Sequence, residues 1–312
     1  MKIINITHPH DYKEGDFPPI AVALGYFDGV HIGHQKVIET VKKIGQEKGL
    51  ATAVMTFDPH PSVILNKHIK HVRLLTPMQD KIELMEKMGL DYLLIVQFSP
   101  DFASLSPQRF ADDYLISLHV KHVVAGFDYS YGQFGKGTME TLPIHSRDKF
   151  DVTTVSKMDL GDEKISSTRI RQELINGHTE SINDLLSRQF TVKGSVVHGE
   201  KRGRLLGFPT ANVEVDSEYY LPGTGVYCVR MKVRGSWYNG ICNVGYKPTF
   251  HTEKEEVPTV EVHLLDFGAG IYKGRVIIEW HKRIRSEQKF NSMEELVAQL
   301  EMDKQFAIEY FG

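Results

Sequence analysis

Residues 25–34 read Gly25-Tyr26-Phe27-Asp28-Gly29-Val30-His31-Ile32-Gly33-His34. The segment overlaps the end of an apolar run of strand length, IAVALGYF (20–27), and leads into a helix-like stretch from Gly33 to the expected C-cap Gly49. In an open parallel sheet, ligands bind at the carboxyl ends of strands, where a helix N-terminus offers free N–H groups to phosphate. The glycines allow close backbone approach, and both histidines can point at one anion. We therefore predict a phosphate site here, the alternative being a glycine-rich connection with two surface histidines.

The sequence around this segment alternates between strand-like and helix-like patterns. Apolar runs at 51–57, 91–98 and 121–127 have the character of buried strands, and helices are expected to begin at Thr76-Pro77 and Ser106-Pro107. Helical patterns at 167–176 and 179–187 close this region. Apolar strands that alternate with amphipathic helices predict an α/β fold whose parallel sheet is covered on both faces.

From about Gln189 the pattern changes to short strands that are separated by turn residues, with no long helix between them. Five segments have this character: FTVKGSVV, GVYCVRMKV, SWYNGICNV, TVEVHLLDF and GRVIIEWHKRI. They predict an antiparallel barrel or sandwich. Ser292-Met293-Glu294-Glu295 is a capping box, so the residues after it are expected to form one C-terminal helix.

Length and charge restrict the possible partners. The chain has 312 residues, enough for two domains of ordinary size, and a formal net charge of −3. Residues 1–187 carry 20 basic and 24 acidic side chains, and the remaining residues carry 17 and 16. Neither part has the basic excess that favours nucleic acid, and no apolar run is long enough to cross a bilayer. We therefore expect no nucleic-acid or membrane partner, while the oligomeric state stays open.

The N-terminus and the cysteines suggest a compartment. The first residues, MKIINITHPHDY, lack the apolar core of a signal peptide, and the chain has two cysteines, Cys228 and Cys242. Reduced thiols in a half-buried sheet are favoured over a zinc site, because no C-x-x-C pair is present. These features predict a cytoplasmic location.

Two further segments carry groups that suit phosphate. Residues 165–171, Ile-Ser-Ser-Thr-Arg-Ile-Arg, place hydroxyls and arginines at an expected helix start, although an ordinary N-cap with two solvated arginines has the same pattern. Residues 194–212 form a glycine-rich stretch that ends in Pro209-Thr210-Ala211-Asn212 and lacks the G-K-[ST] ending of a P-loop. Its hydroxyl and amide oxygens suit Mg²⁺ and phosphate, and the alternative is a turn-rich hairpin.

These motifs resemble known families. H-x-G-H at a strand–helix junction, together with the serine- and arginine-containing helix start, is similar to the nucleotidyltransferase superfamily. The stretch G-R-x-x-G-F-P-T-A-N (203–212) resembles riboflavin kinases, as do residues 260–267 and 283–290. Residues 56–61 and 126–132 are similar to the flavin-side segments of bacterial FAD synthetases. The whole chain thus resembles the prokaryotic bifunctional riboflavin kinase/FAD synthetases.

The resemblance implies two domains and two reactions. Residues 1–186 would form a Rossmann-like nucleotidyltransferase domain with a parallel sheet, an FMN adenylyltransferase. Residues 187–312 would form a riboflavin kinase domain, an antiparallel six-stranded β-barrel with a C-terminal helix. ATP would be the co-substrate of both reactions and Mg²⁺ their cofactor, with riboflavin and FMN as the other substrates and FMN and FAD as products.

The resemblance also implies roles for individual residues. The catalytic residues would be His31, His34 and Arg171 in the first domain and Glu261 in the second. The ATP-binding residues would be Gly25, Phe27, Asp28, Gly33, Ser167, Thr168, Gly199, Arg204, Gly207, Thr210 and Asn212, of which Thr210 and Asn212 would also hold the metal. The flavin-binding residues would be Phe57, Asp58, Pro59, His60, Asp128, Tyr129 and Arg285. From the residues alone, Glu261 could equally be an outward-facing strand carboxylate, and Asp58 and Asp128 could be loop caps.

The chain departs from the family pattern at Tyr26, Tyr129 and Tyr131. Many members have a small or amide residue at the first position, and phenylalanine is common at the other two. These departures could change flavin or nucleotide contacts but not the reaction class.

The predicted pair of activities has two alternatives. The first domain could adenylylate another acceptor, such as pantetheine phosphate or nicotinamide mononucleotide, and the whole chain could be a non-catalytic flavin-binding regulator on the same fold. The Pro-Thr-Ala-Asn module argues against the first, and the intact motif residues argue against the second.

Overall fold

The computed structural model describes residues 1–199, 203, 206–246, 258–268, 270–271 and 273–312. Arg204, one of the predicted ATP-binding residues, lies outside the described residues. The chain divides into two compact units, Met1–Ser167 and Thr168–Gly312. The boundary expected from the sequence, between residues 186 and 187, stays a prediction.

The first unit is built on a six-stranded sheet in which every neighbouring pair of strands is parallel. Two short antiparallel hairpins accompany it, β6 with β7 and β9 with β10. The sheet order is β1-β4-β3-β2-β5-β8. The strands of this unit are β1 Lys2–Ile6, β2 Ile20–Leu24, β3 Ala51–Asp58, β4 Tyr92–Gln97, β5 Val120–Gly126, β6 Ser130–Tyr131, β7 Gly137–Thr138, β8 Asp151–Val155, β9 Asp159–Leu160 and β10 Glu163–Lys164.

Helices connect these strands. The longest, α1, begins after His31 and ends at the predicted C-cap Gly49, whose φ of +64° is in the left-handed region that glycine tolerates. The helices are α1 Ile32–Lys48, α2 Pro61–Leu65, α3 Met78–Lys87, α4 Pro100–Ala103, α5 Pro107–Phe110 and α6 Leu142–Ser146, with a π-helical segment at Ala111–Ile116 and 3₁₀ turns at Glu14–Asp16 and Gln133–Gly135.

The start of α3 corrects one detail of the sequence analysis. The pattern predicts a capping box at Thr76 with Pro77 at the first helical position, but the helix begins at Met78 and its N-cap residue, Pro77, makes no side-chain cap bond. The N–H of Thr76 instead donates to the carboxylate of Asp28, 3.0 Å away. Asp28, far away in the sequence, thus holds the backbone just before α3.

The sheet carries a hydrophobic core on each face. Along β2, whose five residues are all buried, Ile20, Val22 and Leu24 belong to one cluster, whereas Ala21 and Ala23 belong to the other. This alternation follows from the two-residue period of a strand. It confirms the predicted α/β fold with a parallel sheet covered on both faces.

The second unit is a closed six-stranded barrel in which each strand is antiparallel to its neighbours. The order is β11-β12-β15-β14-β13-β16, and β16 pairs back onto β11. This confirms the antiparallel barrel and the C-terminal helix. The elements are α7 Ser167–Asn176, α8 Thr179–Leu186, β11 Phe190–Val197, β12 Ala211–Val215, β13 Gly225–Val233, β14 Ser236–Gly245, β15 Thr259–Leu264, β16 Arg275–Arg285 and α9 Met293–Phe311.

Helix α8 packs on the barrel through backbone-directed hydrogen bonds. Asn183 lies at the centre: its amide nitrogen donates to the carbonyl of Trp280, and its amide oxygen accepts from the N–H of Phe190. The hydroxyl of Thr179 donates to the carbonyl of His281. Helix α8 is therefore part of the barrel unit.

Among the described residues, no helix combines the length and apolar character needed to cross a membrane.

Candidate active sites

The segment between β2 and α1 lies at the carboxyl edge of the parallel sheet. Strand β2 has β3 on one side and β5 on the other, so the connections leaving these strands diverge at this point and open a crevice. The segment itself is tightly folded, with positive φ at Phe27 (58°), Gly29 (89°) and Val30 (43°). A positive φ costs free energy at a residue other than glycine. Such strained residues are concentrated at the functional sites of proteins.

His31 and His34 lie together at the start of α1. His31 is the N-cap residue, and its Nδ1 accepts the N–H of His34 at 3.3 Å. The two rings are stacked, with centroids 3.6 Å apart. Gly33 makes this arrangement possible, because a Cβ there would lie 3.2 Å from the His31 ring. The structure thus brings the two predicted histidines side by side.

The environment of His34 favours its neutral form. Burial holds the pKa of His34 well below its ordinary value, and the nearby His31 and Lys81 lower it further. Its Nδ1 is buried and has no hydrogen-bond partner among the described residues. A neutral imidazole with a buried, unpartnered ring nitrogen is suited to hydrogen bonding with a ligand.

Asp28 and Ser167 connect the segment to distant parts of the first unit. One carboxylate oxygen of Asp28, which is 3% exposed, accepts the N–H groups of Leu75 and Thr76 at 2.9 and 3.0 Å. The hydroxyl of Ser167 donates to the carbonyl of Asp28 at 2.8 Å. Asp28 therefore holds backbone in place, which the motif alone does not indicate. The predicted Thr168 and Arg171 belong to the second unit, where the Arg171 guanidinium lies over the Tyr220 ring.

Among the predicted flavin-side residues of the first unit, Phe57 and Asp58 end β3, and the others follow β3 or β5. These two strands end at the same edge of the sheet. Phe57 is buried against Phe98 and Phe102. His60 caps α2 by accepting the N–H of Ser62, and its ring stands edge-on to Tyr26 at 4.4 Å between centroids. A cis peptide bond joins Asp58 to Pro59.

After β5, charge and aromatic contacts dominate. Asp128 forms an exposed ion pair with Lys164 at 2.5 Å, and Tyr129 stacks on Tyr131 with centroids 6.2 Å apart. The Tyr131 hydroxyl is hydrogen bonded to Nδ1 of His145 at 2.7 Å. Burial raises the pKa of Tyr129, so its phenol stays protonated at neutral pH. The hydroxyl of Tyr131, a departure from the family pattern, thus has a partner of its own.

Lys81 is a residue of this region that the motifs do not reveal. It lies on α3 and is 1% exposed, and its ammonium donates to the carbonyl of Tyr26 at 2.6 Å and to the hydroxyl of Thr56 at 3.3 Å. The same ammonium lies 4.1 Å above the centroid of the Tyr26 ring. The only sequence signal is its place between Met78 and Met85 on the apolar side of a helix, where a charge is unexpected.

In the barrel, three polar residues form a row across adjacent strands. Asn212 on β12 is the register partner of Glu261 on β15, and Glu261 is in turn the partner of Asn243 on β14. Direct partners on neighbouring strands point to the same face of a sheet. The row therefore brings together the predicted Asn212 and Glu261 and adds Asn243, which only the strand register identifies.

Glycines shape the surroundings of this row. A Cβ at Gly199 would overlap the side-chain amide of Asn212, so the Gly199 backbone must lie directly against that amide. A Cβ at Gly203 would meet the carbonyl of Phe208, and Gly207 has a φ of +83°. His263 donates from Nδ1 to the carbonyl of Pro209 at 2.9 Å, fixing the residue before Thr210. Gly199 and Gly207 are thus needed by the local backbone.

Arg285 is engaged by the C-terminal helix. Its guanidinium makes three hydrogen bonds of 2.7 to 3.0 Å to the carboxylate of Asp303 on α9. Arg285 is 18% exposed at its side chain and Asp303 1%, so the pair is largely buried. A flavin contact of Arg285 stays a prediction; what the structure shows is an anchor between β16 and α9.

A parallel α/β unit with a phosphate-type strand–helix junction, followed by an antiparallel barrel with paired asparagine and glutamate, defines a two-domain transferase of phosphorus-containing groups. Residues 14–169 match the family model described as FAD synthetase, and residues 186–311 match the one described as riboflavin kinase. The chain belongs to the family of bacterial bifunctional riboflavin kinase/FMN adenylyltransferases.

Relatives of this description match over the whole chain. A protein of Bacillus subtilis (strain 168) is 52% identical over 100% of this chain and 99% of its own length, and one of Listeria monocytogenes is 47% identical with the same coverage. A protein of Escherichia coli (strain K12) is 34% identical over 100% of this chain and 98% of its own. All three are described as bifunctional riboflavin kinase/FMN adenylyltransferases.

A solved structure has the same fold. The crystal structure of a Streptococcus pneumoniae protein, described as a macrolide-efflux protein, superposes with a TM-score of 0.88 and 33% identity over 97% of this chain and 98% of that one. The family models and relatives confirm the resemblance found in the motifs. The chain is therefore an enzyme with riboflavin kinase and FMN adenylyltransferase activities, and the alternative of a non-catalytic regulator gains no support.

Proposed function

We propose that the first unit transfers AMP from ATP to FMN at the β2–α1 segment, and that the second unit phosphorylates riboflavin at the Asn212–Glu261 pair. The observation that supports the first assignment is the stacked histidine pair at the N-terminus of α1, in which burial favours the neutral form of His34. The second assignment is supported by the register that sets Asn212 beside Glu261. Each unit thus has one site for one of the two family activities.

For adenylyl transfer, the phosphate of FMN attacks the α-phosphate of ATP and pyrophosphate leaves. A phosphate monoester is already anionic at neutral pH, so the reaction needs no general base. The chain instead supplies hydrogen-bond donors: the first N–H groups of α1 and the rings of His31 and His34, which stabilise the charge that grows on the phosphate oxygens. Ser167 is proposed to hold the departing pyrophosphate, and the roles of Thr168 and Arg171 stay predictions.

For riboflavin phosphorylation, the 5′-hydroxyl of the ribityl chain attacks the γ-phosphate of ATP. Glu261 accepts the hydroxyl proton as general base. Thr210 and Asn212 are proposed to bind the ATP phosphates, with the glycines of the preceding segment allowing close backbone approach. Phosphoryl transfer depends mostly on positioning and charge neutralisation, which this set of groups can provide.

Mg²⁺ fits the same residues. The hydroxyl of Thr210, the amide oxygen of Asn212 and the carboxylate of Glu261 are the hard oxygen donors that this ion prefers. The register places two of the three side by side. Thr210 and Asn212 would hold the ion, which when bound neutralises phosphate charge.

A cytoplasmic location completes the proposal, supported by the two free cysteines of the barrel.

Single substitutions separate the two reactions. We expect His34→Ala to lower FAD formation from FMN by about 10²–10³-fold, the usual loss when one charge-stabilising donor is removed. Riboflavin should still be phosphorylated, so FMN accumulates. Glu261→Gln should have the opposite effect: no FMN from riboflavin, but normal conversion of supplied FMN to FAD.

The measurement is chromatography of the flavins after incubation with ATP and Mg²⁺, starting from riboflavin or from FMN. Loss of both activities in either variant would contradict two separate sites, and near-normal riboflavin phosphorylation by Glu261→Gln would exclude Glu261 as the base. If the wild-type chain converts neither flavin, the non-catalytic alternative is correct.

A further inference from the structure

Lys81 is a buried charge without a charged partner. No carboxylate of the described residues lies within 4.0 Å of its ammonium, whose contacts are the carbonyl and ring of Tyr26 and the hydroxyl of Thr56. Burying an unpaired ammonium is costly, and Met78, Ile82 and Met85 show that this side of α3 is otherwise apolar. A methionine at position 81 would avoid the cost. The retained charge therefore calls for a functional explanation.

The contacts of Lys81 place it directly beneath the adenylyl-transfer site. Tyr26 belongs to the β2–α1 segment, and Thr56 lies on β3, one residue before Phe57. The ring of Tyr26 contacts both the Lys81 ammonium and the ring of His60. Lys81 thus contacts the β2–α1 segment, where the proposed function places adenylyl transfer, and the end of β3, where the resemblance predicts flavin-binding residues.

Two carboxylates and one imidazole interact electrostatically with Lys81. Asp28 in the β2–α1 segment and Asp58 at the end of β3 attract its charge, and His34 on α1 is disfavoured as a cation by it. Burial lowers the pKa of Lys81 to about 8, so it is still mainly protonated at neutral pH. Neither carboxylate forms an ion pair with the ammonium within 4.0 Å, so each attracts it only from a greater distance.

We infer that Lys81 is a positioning residue for adenylyl transfer, whose charge, attracted only from a distance by Asp28 and Asp58, is balanced further by the phosphates of bound ATP and FMN. This inference rests on the proposed function of the first unit. In a site of low dielectric constant, a buried cation attracts a polyanion across several ångströms without touching it. The cost of burial in the free enzyme is then offset when substrate binds. After burial and His31, Lys81 also contributes to the lowered pKa of His34.

The test compares Lys81→Met with Lys87→Met, an exposed lysine on the same helix. We expect Lys81→Met to unfold at the same or a higher temperature without ligand, because a buried unpaired charge is gone. Its KM for ATP in FAD formation should rise about tenfold, the size of one charge interaction in a partly buried site, while riboflavin phosphorylation stays unchanged. Lys87→Met should match wild type in all respects.

The pH profile provides a readout that a merely structural role would not change. In wild type, kcat/KM for ATP should fall as the pH rises through about 8, because Lys81 loses its proton and its attraction for phosphate. This limb should be absent in Lys81→Met. If Lys81→Met unfolds the site, Lys81→Gln replaces it in the test. Glutamine removes the charge but can still donate a hydrogen bond to the Tyr26 carbonyl.

Two results would overturn the inference. One is an unchanged KM for ATP in Lys81→Met. The other is wild-type ATP affinity in a folded Lys81→Gln, which would show that the hydrogen bond matters and the charge does not. Failure of wild type itself to make FAD from FMN would instead contradict the proposed function.

Discussion

At Gly199 the absence of a side chain has a direct consequence for the kinase site. Because a Cβ there would overlap the amide of Asn212, Gly199→Ala must push that amide away from Glu261. We expect riboflavin phosphorylation to fall by roughly tenfold or more, since misplacing a positioning group by about 1 Å can cost up to 10²-fold. Adenylylation of FMN by the same chain should be unchanged.

The matched control is Gly268→Ala, in the same unit, where a Cβ would meet no atom within 4 Å. Initial rates of FMN formation from riboflavin distinguish the two variants. Equal rates for Gly199→Ala and Gly268→Ala would show that Asn212 is not part of the kinase machinery.

Individual residues also show how far the sequence predicts the site. The motifs identify His31, His34, Asn212 and Glu261, because these lie in short segments whose residue types suit phosphate. They do not show that Asp28 holds the backbone at 75–76, since that contact joins residues 47 and 48 positions apart. Lys81 and Asn243 are missed for the same reason: helix packing and strand register bring them to the sites.

At the scale of elements, the buried pair of Arg285 and Asp303 fixes α9 to the end of β16. Asp303→Ala leaves the Arg285 guanidinium buried without its partner, and we expect a loss of about 3 kcal/mol in the free energy of unfolding of the barrel unit. Both tryptophans of the chain, Trp237 and Trp280, lie in the barrel, so their fluorescence during urea unfolding reports on this unit alone.

Two further variants complete this experiment. Glu301→Ala, at an exposed position of the same helix, should unfold like wild type. Replacing both partners, with Arg285→Met and Asp303→Leu, should recover most of the lost stability, because an apolar pair needs no counter-charge. An Asp303→Ala variant as stable as Glu301→Ala would mean that the pair does not anchor the helix.

Elements differ in how readily the sequence reveals them. Strands β2 to β5 lie inside the sheet, are buried on both faces and appear as continuous apolar runs. The edge strands β1 and β8 have largely exposed or half-buried residues, so their sequences carry no such run and were not predicted as strands. Strand β12 is not predicted from the sequence: its first two residues are the end of the glycine-rich stretch, and its pairing with β11 and β15 is not visible in the local pattern.

At the scale of the whole molecule, α7 and α8 lie between the parallel sheet and the barrel strands in the sequence. Whether they belong to the barrel determines the first residue of a kinase fragment that can fold on its own. Ile170, Leu174, Ile182, Leu185 and Leu186 on α7 and α8 are fully buried, and α8 is hydrogen bonded to the barrel. We expect a fragment of residues 168–312 to be more stable than one of residues 187–312 by several kcal/mol, since each buried aliphatic side chain contributes about 1.5–3 kcal/mol.

Tryptophan fluorescence in urea compares the two fragments, and riboflavin phosphorylation at low temperature shows whether each is folded. Both should phosphorylate riboflavin, but the shorter fragment should lose activity at a lower denaturant concentration. If the two fragments were equally stable, α7 and α8 would not contribute to the kinase unit. That result would support the domain boundary predicted from the sequence, between residues 186 and 187.

The pairing of β11 with β16 also sets an order of events during synthesis. The parallel sheet has all its strands once Val155 has been made, whereas the barrel cannot close until Arg275–Arg285 has left the ribosome. Domains generally fold as units and in order from the N-terminus. The part that consumes FMN is therefore ready to fold before the part that produces it. A nascent chain that stops between residues 216 and 274 carries an open sheet whose unpaired edges invite aggregation.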